Sequence, residues 1–297
     1  MYHIQLPQII QTNRQGFQDI IGIFDSLASG VDKDGYVDFS KCEILESNLC
    51  AILGSIFDEL INRGFIVRLI PPKEKSLKKA LAQNNFFRAF EPDISSEDPQ
   101  NFIYYNRFAP NQTQEFKEYI DSQLIKKQRF PRHSELAGKR ILESIFEIFT
   151  NAVTHGCCNY IYACGEYHGL QQPVLDMTIV DRGRTFYNLV NEHLSAKQPT
   201  EQLSPPEAIK WATINGHTTK STPGGLGLAL ILEFLVLNRG ILQIVSHKGL
   251  LIYKDGDFEE YTLDSAFDGS IVNMRFNFDD DKKYFMAEEQ DSNNDLL

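Results

Sequence analysis

The chain has no uninterrupted run of eighteen apolar residues, and its opening, MYHIQLPQIIQTNRQ, lacks the basic and then apolar order of an export signal. Neither a membrane span nor a cleaved leader is expected, and the protein is read as cytoplasmic. Cysteine is sparse, five in 297 residues. An odd number without the spacing of a secreted framework points to reduced thiols. Basic residues are in deficit: 29 Lys and Arg against 40 Asp and Glu leave a net charge of −11. No basic stripe is present to neutralise a nucleic-acid backbone, so nucleic acid is not an expected partner, while protein partners stay open. Tryptophan occurs once, as Trp211. What remains, 42% hydrophobic and 23% charged residues, is the balance of a globular chain with core enough for one or two domains.

The most informative stretch is Glu143 to Gly156, ESIFEIFTNAVTHG. On a helix, Glu143, Glu147, Asn151 and His155 recur every four residues and form one polar stripe. Ile141, Leu142, Ile145, Phe149, Ala152 and Val153 fall on the other side as the buried face. A carboxylate and a carboxamide one turn apart suit a hydrated divalent cation, with the Asn151 oxygen as a ligand for Mg²⁺. Glu147 can hold and deprotonate a water beside a phosphate. The same spacing also describes an ordinary solvated helix face.

Two later pieces decide between these readings. Val174 to Val180, VLDMTIV, alternates like a half-buried strand and ends on Asp181-Arg182-Gly183. An Asp at a strand end, before a glycine that permits a tight turn, can accept a hydrogen bond from the exocyclic amine of adenine. Then Thr218-Thr219-Lys220 precedes Gly224-Gly225-Leu226-Gly227-Leu228, which opens an apolar segment running to Leu237. Three glycines let backbone amides crowd a phosphate chain, and a helix start adds free N–H groups. Lys220 could reach a terminal phosphate.

The order E-x-x-x-N-A-x-x-H-G, D-x-G, T-T-K and G-G-L-G-L resembles the GHKL ATP-binding domain of gyrase-type topoisomerases, ninety-kilodalton heat-shock chaperones, sensor histidine kinases and anti-sigma-factor serine kinases. The first box is most similar to that of the anti-sigma-factor kinases. The resemblance covers roughly Phe116 to Phe278. It implies ATP and Mg²⁺ as cofactors, Glu147 as base, Asn151 as metal ligand, and Asp181 with Gly183 on the adenine side. Thr219, Lys220, Gly224, Gly225, Leu226, Gly227 and Leu228 would lie along the phosphates. The family pattern D-x-G-x-G carries Thr185 here in place of the second glycine. A β-branched residue resists positive φ, so the turn behind the adenine is expected to differ, which leaves room for a nucleotide switch with little turnover.

The first ninety residues form a different unit. Tyr36 to Ser40 reads as a strand, Asn48 to Arg63 as a helix and Phe65 to Ile70 as a second strand, a parallel crossover. Pro71-Pro72 breaks the chain and Lys75 to Asn84 restarts a helix. The segment DFSKCEILESNLCAILGSIFDELINRGFIVRLI resembles the STAS fold of anti-sigma-factor antagonists, whose D-S-S-G turn becomes Glu46-Ser47-Asn48-Leu49. The phosphoacceptor position of those antagonists is thus occupied by Asn48. Ser47 is read as a helix N-cap, with phosphoacceptor as the alternative.

The expected organisation is an α/β two-domain protein: an N-terminal STAS-like α/β unit over 1–92, a linker over 93–114, and a C-terminal GHKL-type α/β sandwich over 115–278 with a mixed sheet and helices on one face. Residues 279–297 carry seven acidic residues and two lysines and read as a disordered acidic tail. Ser204-Pro205-Pro206-Glu207 is a helix start, and Trp211 on that helix is a core residue or part of a lid. Cys157, Cys158 and Cys164 with His155 and His168 fit no common zinc spacing. Ile241 to Ser246, Leu250 to Tyr253 and Ser270 to Phe278 read as antiparallel strands.

The function these features imply is an Mg-ATP-binding regulator with slow ATPase or protein serine/threonine kinase activity in partner-switching-like signalling. Its partner would be a STAS-like or sigma-factor-like regulator, and a homodimer is compatible with the resemblance. The alternative is a nucleotide-gated interaction switch with little catalysis. A sensor histidine kinase fits poorly, because His133 lies only eighteen residues before Asn151.

Overall fold

The computed structural model describes residues 1–28, 32–90, 101–127, 130–169, 173–197, 202–219, 227–278, 282–286 and 289. Strands β1 (Tyr2–Gln5) and β2 (Ile9–Ile10) lead into helix α1 (Arg14–Ala28), followed by β3 (Asp34–Asp38) and β4 (Ile44–Leu45). Helix α2 (Cys50–Asn62), strand β5 (Ile66–Ile70) and helices α3 (Lys75–Gln83) and α4 (Phe86–Phe90) complete the N-terminal unit. Its three-stranded parallel sheet has the order β1-β3-β5, and β2 pairs with β4.

Asn13 starts α1 by accepting the Gly16 N–H at 2.9 Å, and Phe17, Ile20, Ile21, Phe24 and Leu27 form its buried stripe. Helix α2 is apolar almost all round, with every residue from Cys50 to Asp58 buried. A helix of that kind must be covered on all sides. It lies between its own sheet and a second one.

That second sheet is built by β6 (Phe102–Phe108), then, after α5 (Thr113–Ile120) and α6 (Glu135–Asn151), by β7 (Ile161–His168) and β8 (Val174–Asp181). Helices α7 (Phe186–Lys197), α8 (Pro205–Thr213) and α9 (Gly227–Asn238) precede β9 (Ile241–Lys254) and β10 (Asp257–Asn277). The strand order is β6-β7-β8-β10-β9. All four pairings are antiparallel, which corrects the mixed sheet expected for this half. Only five residues lie between His168 of β7 and Val174 of β8, and two between Lys254 of β9 and Asp257 of β10, too few for the crossover a parallel pair needs. Between β9 and β10, Asp255 and Gly256 both take positive φ, 53° and 98°, the requirement of a two-residue hairpin turn.

Strand alternation sorts the two faces of this sheet. Leu175, Met177 and Ile179 of β8 join Val272, Met274 and Phe276 of β10 in a core under α6 and α9. Val180, Ile271, Tyr162 and Cys164 belong instead to a core shared with α1 and α2. The sheet is therefore covered on both sides, and β8 is buried on both faces rather than half-buried as its alternation suggested.

The seam between the N-terminal unit and the sheet contains a polar network. Asn48, fully buried, donates its amide toward Thr12 at 3.0 Å, Thr178 at 3.0 Å and Asn273 at 3.1 Å. Asn273 in turn donates to Asp176 at 3.1 Å, and Asp176 accepts from Arg275 at 2.7 Å and contacts His168 Nε2 at 2.6 Å. Burial raises the Asp176 pKa, but the bonds from His168 and Arg275 outweigh it and hold the carboxyl below its usual value. Ser47 is also fully buried and its N–H donates to Glu166, so it neither caps a helix nor lies open to a kinase.

Two segments differ from the expected organisation. The expected linker 93–114 contains β6, an edge strand whose Phe102, Tyr105 and Phe108 are buried. As expected of an aromatic cluster in this stretch, Tyr105 packs into one core and Phe108 into the other. Residues 282–286 of the expected disordered tail lie on the body, where Tyr284 is buried and exchanges backbone bonds with Arg132 and Ser134. Cys158 and Cys164 sit in different cores, and no group of three metal-ligating side chains occurs among the described residues. No described helix is long and apolar enough to cross a membrane.

Candidate functional site

A cleft lies between α6, α7 and α8, at the end of β8 where Asp181 pairs with Ser270 of β10. Ser134 caps α6 by accepting the Ala137 N–H at 3.0 Å, and Ile141, Ile145, Ile148 and Phe149 bury its inner face. Glu147 and Asn151 both line the cleft. Glu143, one turn earlier, is exposed and pairs with Arg140 at 3.1 Å, so the stripe enters the site only from Glu147 onward. After Asn151 the helix widens into a single π-helical turn, Ala152–Gly156, which carries His155 and Gly156 to the cleft wall.

Asp181 reaches the cleft because alternation along β8 turns it to the same side as Met177 and Ile179. It is 5% exposed. Ser270 of β10, its direct cross-strand neighbour, donates to Oδ2, while Oδ1 is buried with no partner among the described residues. Burial, opposed by the bonds from Ser270, pushes the carboxyl up to about 6. A buried acceptor of this kind is costly unless a donor meets it. Arg182, the next residue, turns to the other side, where its guanidinium lies 4.4 Å from the Phe24 ring and 4.9 Å from Phe267.

Gly183 is required for a reason other than a tight turn. Its φ is not in the left-handed region; instead, a Cβ there would lie 2.1 Å from the Gly156 carbonyl oxygen. That oxygen accepts the Arg184 N–H at 2.8 Å, so the turn after Asp181 is tied to the end of the π-helical turn. Thr185 follows as the N-cap of α7, its hydroxyl accepting the Asn188 N–H at 3.2 Å. A cap needs a side-chain oxygen, which the glycine of the D-x-G-x-G pattern lacks. Thr185→Ala is expected to lower stability by about 1 kcal/mol, read as a reduced melting temperature, while Thr185→Ser retains the cap and loses less.

Helix α9 meets α6 at Gly227, where an added Cβ would stand 2.5 Å from the Glu147 Cβ. The absent side chain lets the first turn of α9 approach Glu147, and Leu228 lines the cleft beside it. Thr219 also lines the cleft. Lys220, Gly224, Gly225 and Leu226 fall outside the described residues.

Sequence reasoning did not foresee the apolar wall of Phe186, Leu189 and Val190, nor Ser270. None stands in a motif; Ser270 is identified only by strand register. Trp211 lines the cleft and is only partly buried, so it is not a core residue. Comparison of the sequence with protein-family models and with curated proteins finds no match.

Proposed function

We propose that the cleft binds an adenine nucleotide with Mg²⁺ in the manner of a GHKL domain, and that the chain hydrolyses ATP slowly or transfers its terminal phosphoryl group to a protein serine or threonine. The observation that carries this reading is the partnerless buried Oδ1 of Asp181 in one cleft with Glu147 and Asn151. An acceptor against apolar walls suits the amine edge of a flat base. A carboxylate and a carboxamide a turn apart suit the phosphate end.

Asn151 would hold Mg²⁺ through its amide oxygen, and the ion would neutralise phosphate charge. Glu147 takes the proton from the attacking water or hydroxyl. The N-terminal amides of α9, brought close by Gly227, stabilise charge on the phosphates. Ser47 is not the acceptor in this scheme, because it is buried on the far face of the sheet from Glu147. The STAS-like unit acts as a fixed cover, and a phosphoryl acceptor is water or a separate STAS-like or sigma-factor-like regulator.

A second reading, a nucleotide-gated interaction switch, is favoured by one contact. Asn48 of the N-terminal unit bonds Thr178 of β8 and Asn273 of β10, the strands that carry Asp181 and Ser270 to the cleft. Occupancy of the cleft would then bias the N-terminal unit with little chemistry.

The test is calorimetric binding of ATP with and without Mg²⁺, followed by phosphate release. Tighter binding with the ion is expected in the parent, and Asn151→Ala should lose that gain. Glu147→Ala should still bind while phosphate release falls on the order of a hundredfold. No binding of ATP by the parent sinks the nucleotide reading. Binding without release by the parent, alone or with candidate regulators, favours the switch.

A further inference from the structure

Helix α8 presents an aromatic residue to the cleft, where its indole lies 5.9 Å from the His193 ring of α7. Ser204 and Glu207 close a capping box, and Pro206, Ala208, Ile209 and Thr213 are buried. The helix packs against β9 and against α7. Trp211 falls outside that buried set, and with Ala212 it lines the cleft. The His217 ring lies 4.6 Å from the indole at 34°, and His217 Nδ1 is 3.0 Å from the Trp211 carbonyl oxygen.

A partly open indole in a cleft forgoes hydrophobic burial that a core position would supply. Glu147, Asn151, Asp181 and Ser270 line the same cleft. A flat ring bonded to Asp181 Oδ1 would enter a space already walled by Phe186, Val190 and Trp211.

We propose that Trp211 is a ligand-contact residue that stacks on the nucleoside part of the bound nucleotide and makes the cleft selective for nucleosides. This rests on the nucleotide reading of the site. Stacking of a base on an aromatic side chain supplies roughly a tenfold gain in affinity, and it is a property of ring faces rather than of side-chain volume.

The experiment uses the full chain, with ATP and Mg²⁺ as the probe. Trp211 is the only tryptophan, so its emission reports the site directly. ATP is expected to shield the indole from acrylamide quenching. By calorimetry, Trp211→Phe should bind within about threefold of the parent, while Trp211→Leu and Trp211→Ala lose about tenfold, with melting temperatures of the Phe and Leu variants alike. The proposal is overturned if Trp211→Ala binds as the parent does, or if Leu serves as well as Phe, which would assign a space-filling role. It is also overturned if the parent binds ATP without shielding the indole. Failure of the parent to bind any nucleotide would remove both this inference and the reading beneath it, an outcome distinct from the others.

Discussion

Replacing Asp181 is expected to raise the Kd for ATP on the order of a hundredfold, because a hydrogen bond to a buried charged acceptor has no substitute in an apolar cleft. Asn should fare no better than Ala. Ser270 donates to the position of Oδ2, so an amide oriented to accept that bond turns its NH₂ toward the ligand and sets donor against donor. The parent should also bind in a pH-dependent way. With Oδ2 engaged by Ser270, a proton adds to the partnerless Oδ1 and converts the acceptor to a donor. Affinity is expected to hold above a pH of about 6 and to weaken as pH falls through that value, up to about tenfold per unit. Asp181→Asn should show no such slope between pH 5 and 8.

The same carboxyl works against stability in the free protein. Its folded pKa is raised from 3.8 to about 6, so the folded state binds its proton more tightly than the unfolded chain does. The stability it contributes is full below a pH of about 4 and is lost as pH rises through about 6. Thermal melting of the ligand-free Asp181→Asn variant should therefore exceed that of the parent at pH 8 and not at pH 4. Equal differences at both values would contradict the desolvation argument. A site residue that costs stability until its ligand arrives is the usual trade between the two properties.

Asp176→Ala is the variant expected to damage the fold most. The carboxylate is fully buried in the seam, with Arg275 Nε at 2.9 Å, Arg275 Nη2 at 2.7 Å and His168 at 2.6 Å. Removing it leaves the partly buried guanidinium without its counter-ion and strips Asn273 of an acceptor, a loss of about 3–5 kcal/mol. Urea denaturation should show it as a lower midpoint. The double variant Asp176→Leu with Arg275→Met should recover much of the loss, since an apolar pair avoids the desolvation cost. If Asp176→Ala unfolds at the parent's midpoint, the network does not hold the N-terminal unit to the sheet.

Much of the molecule is legible in local pattern. Four-residue spacing identifies α6 and puts Glu147 and Asn151 on one side. Alternation identifies β8, and the S-P-P-E start identifies α8. These are consequences of helix and strand periodicity, which neighbouring residues carry by themselves. Periodicity alone distinguishes two faces without saying what covers each. In VLDMTIVD, it separates Asp176 and Thr178 from Met177 and Ile179, and the polar side reads as solvent. The seam with α1 and α2 makes that side interior instead, and this depends on contacts more than a hundred residues apart, such as Asn48 to Thr178.

The sequence by itself determined the candidates Glu147, Asn151 and Asp181, because each lies in a short segment whose period or turn is set locally. Only the tertiary structure decided that Asp181 keeps one oxygen without a partner, that Gly183 is required by the carbonyl of Gly156, and that Trp211 opens on the cleft. Each of these is a matter of distance between elements far apart in the chain: β8 against β10, the turn after β8 against the end of α6, and α8 against both. Burial and close approach are properties of the packed assembly, and no local pattern encodes them.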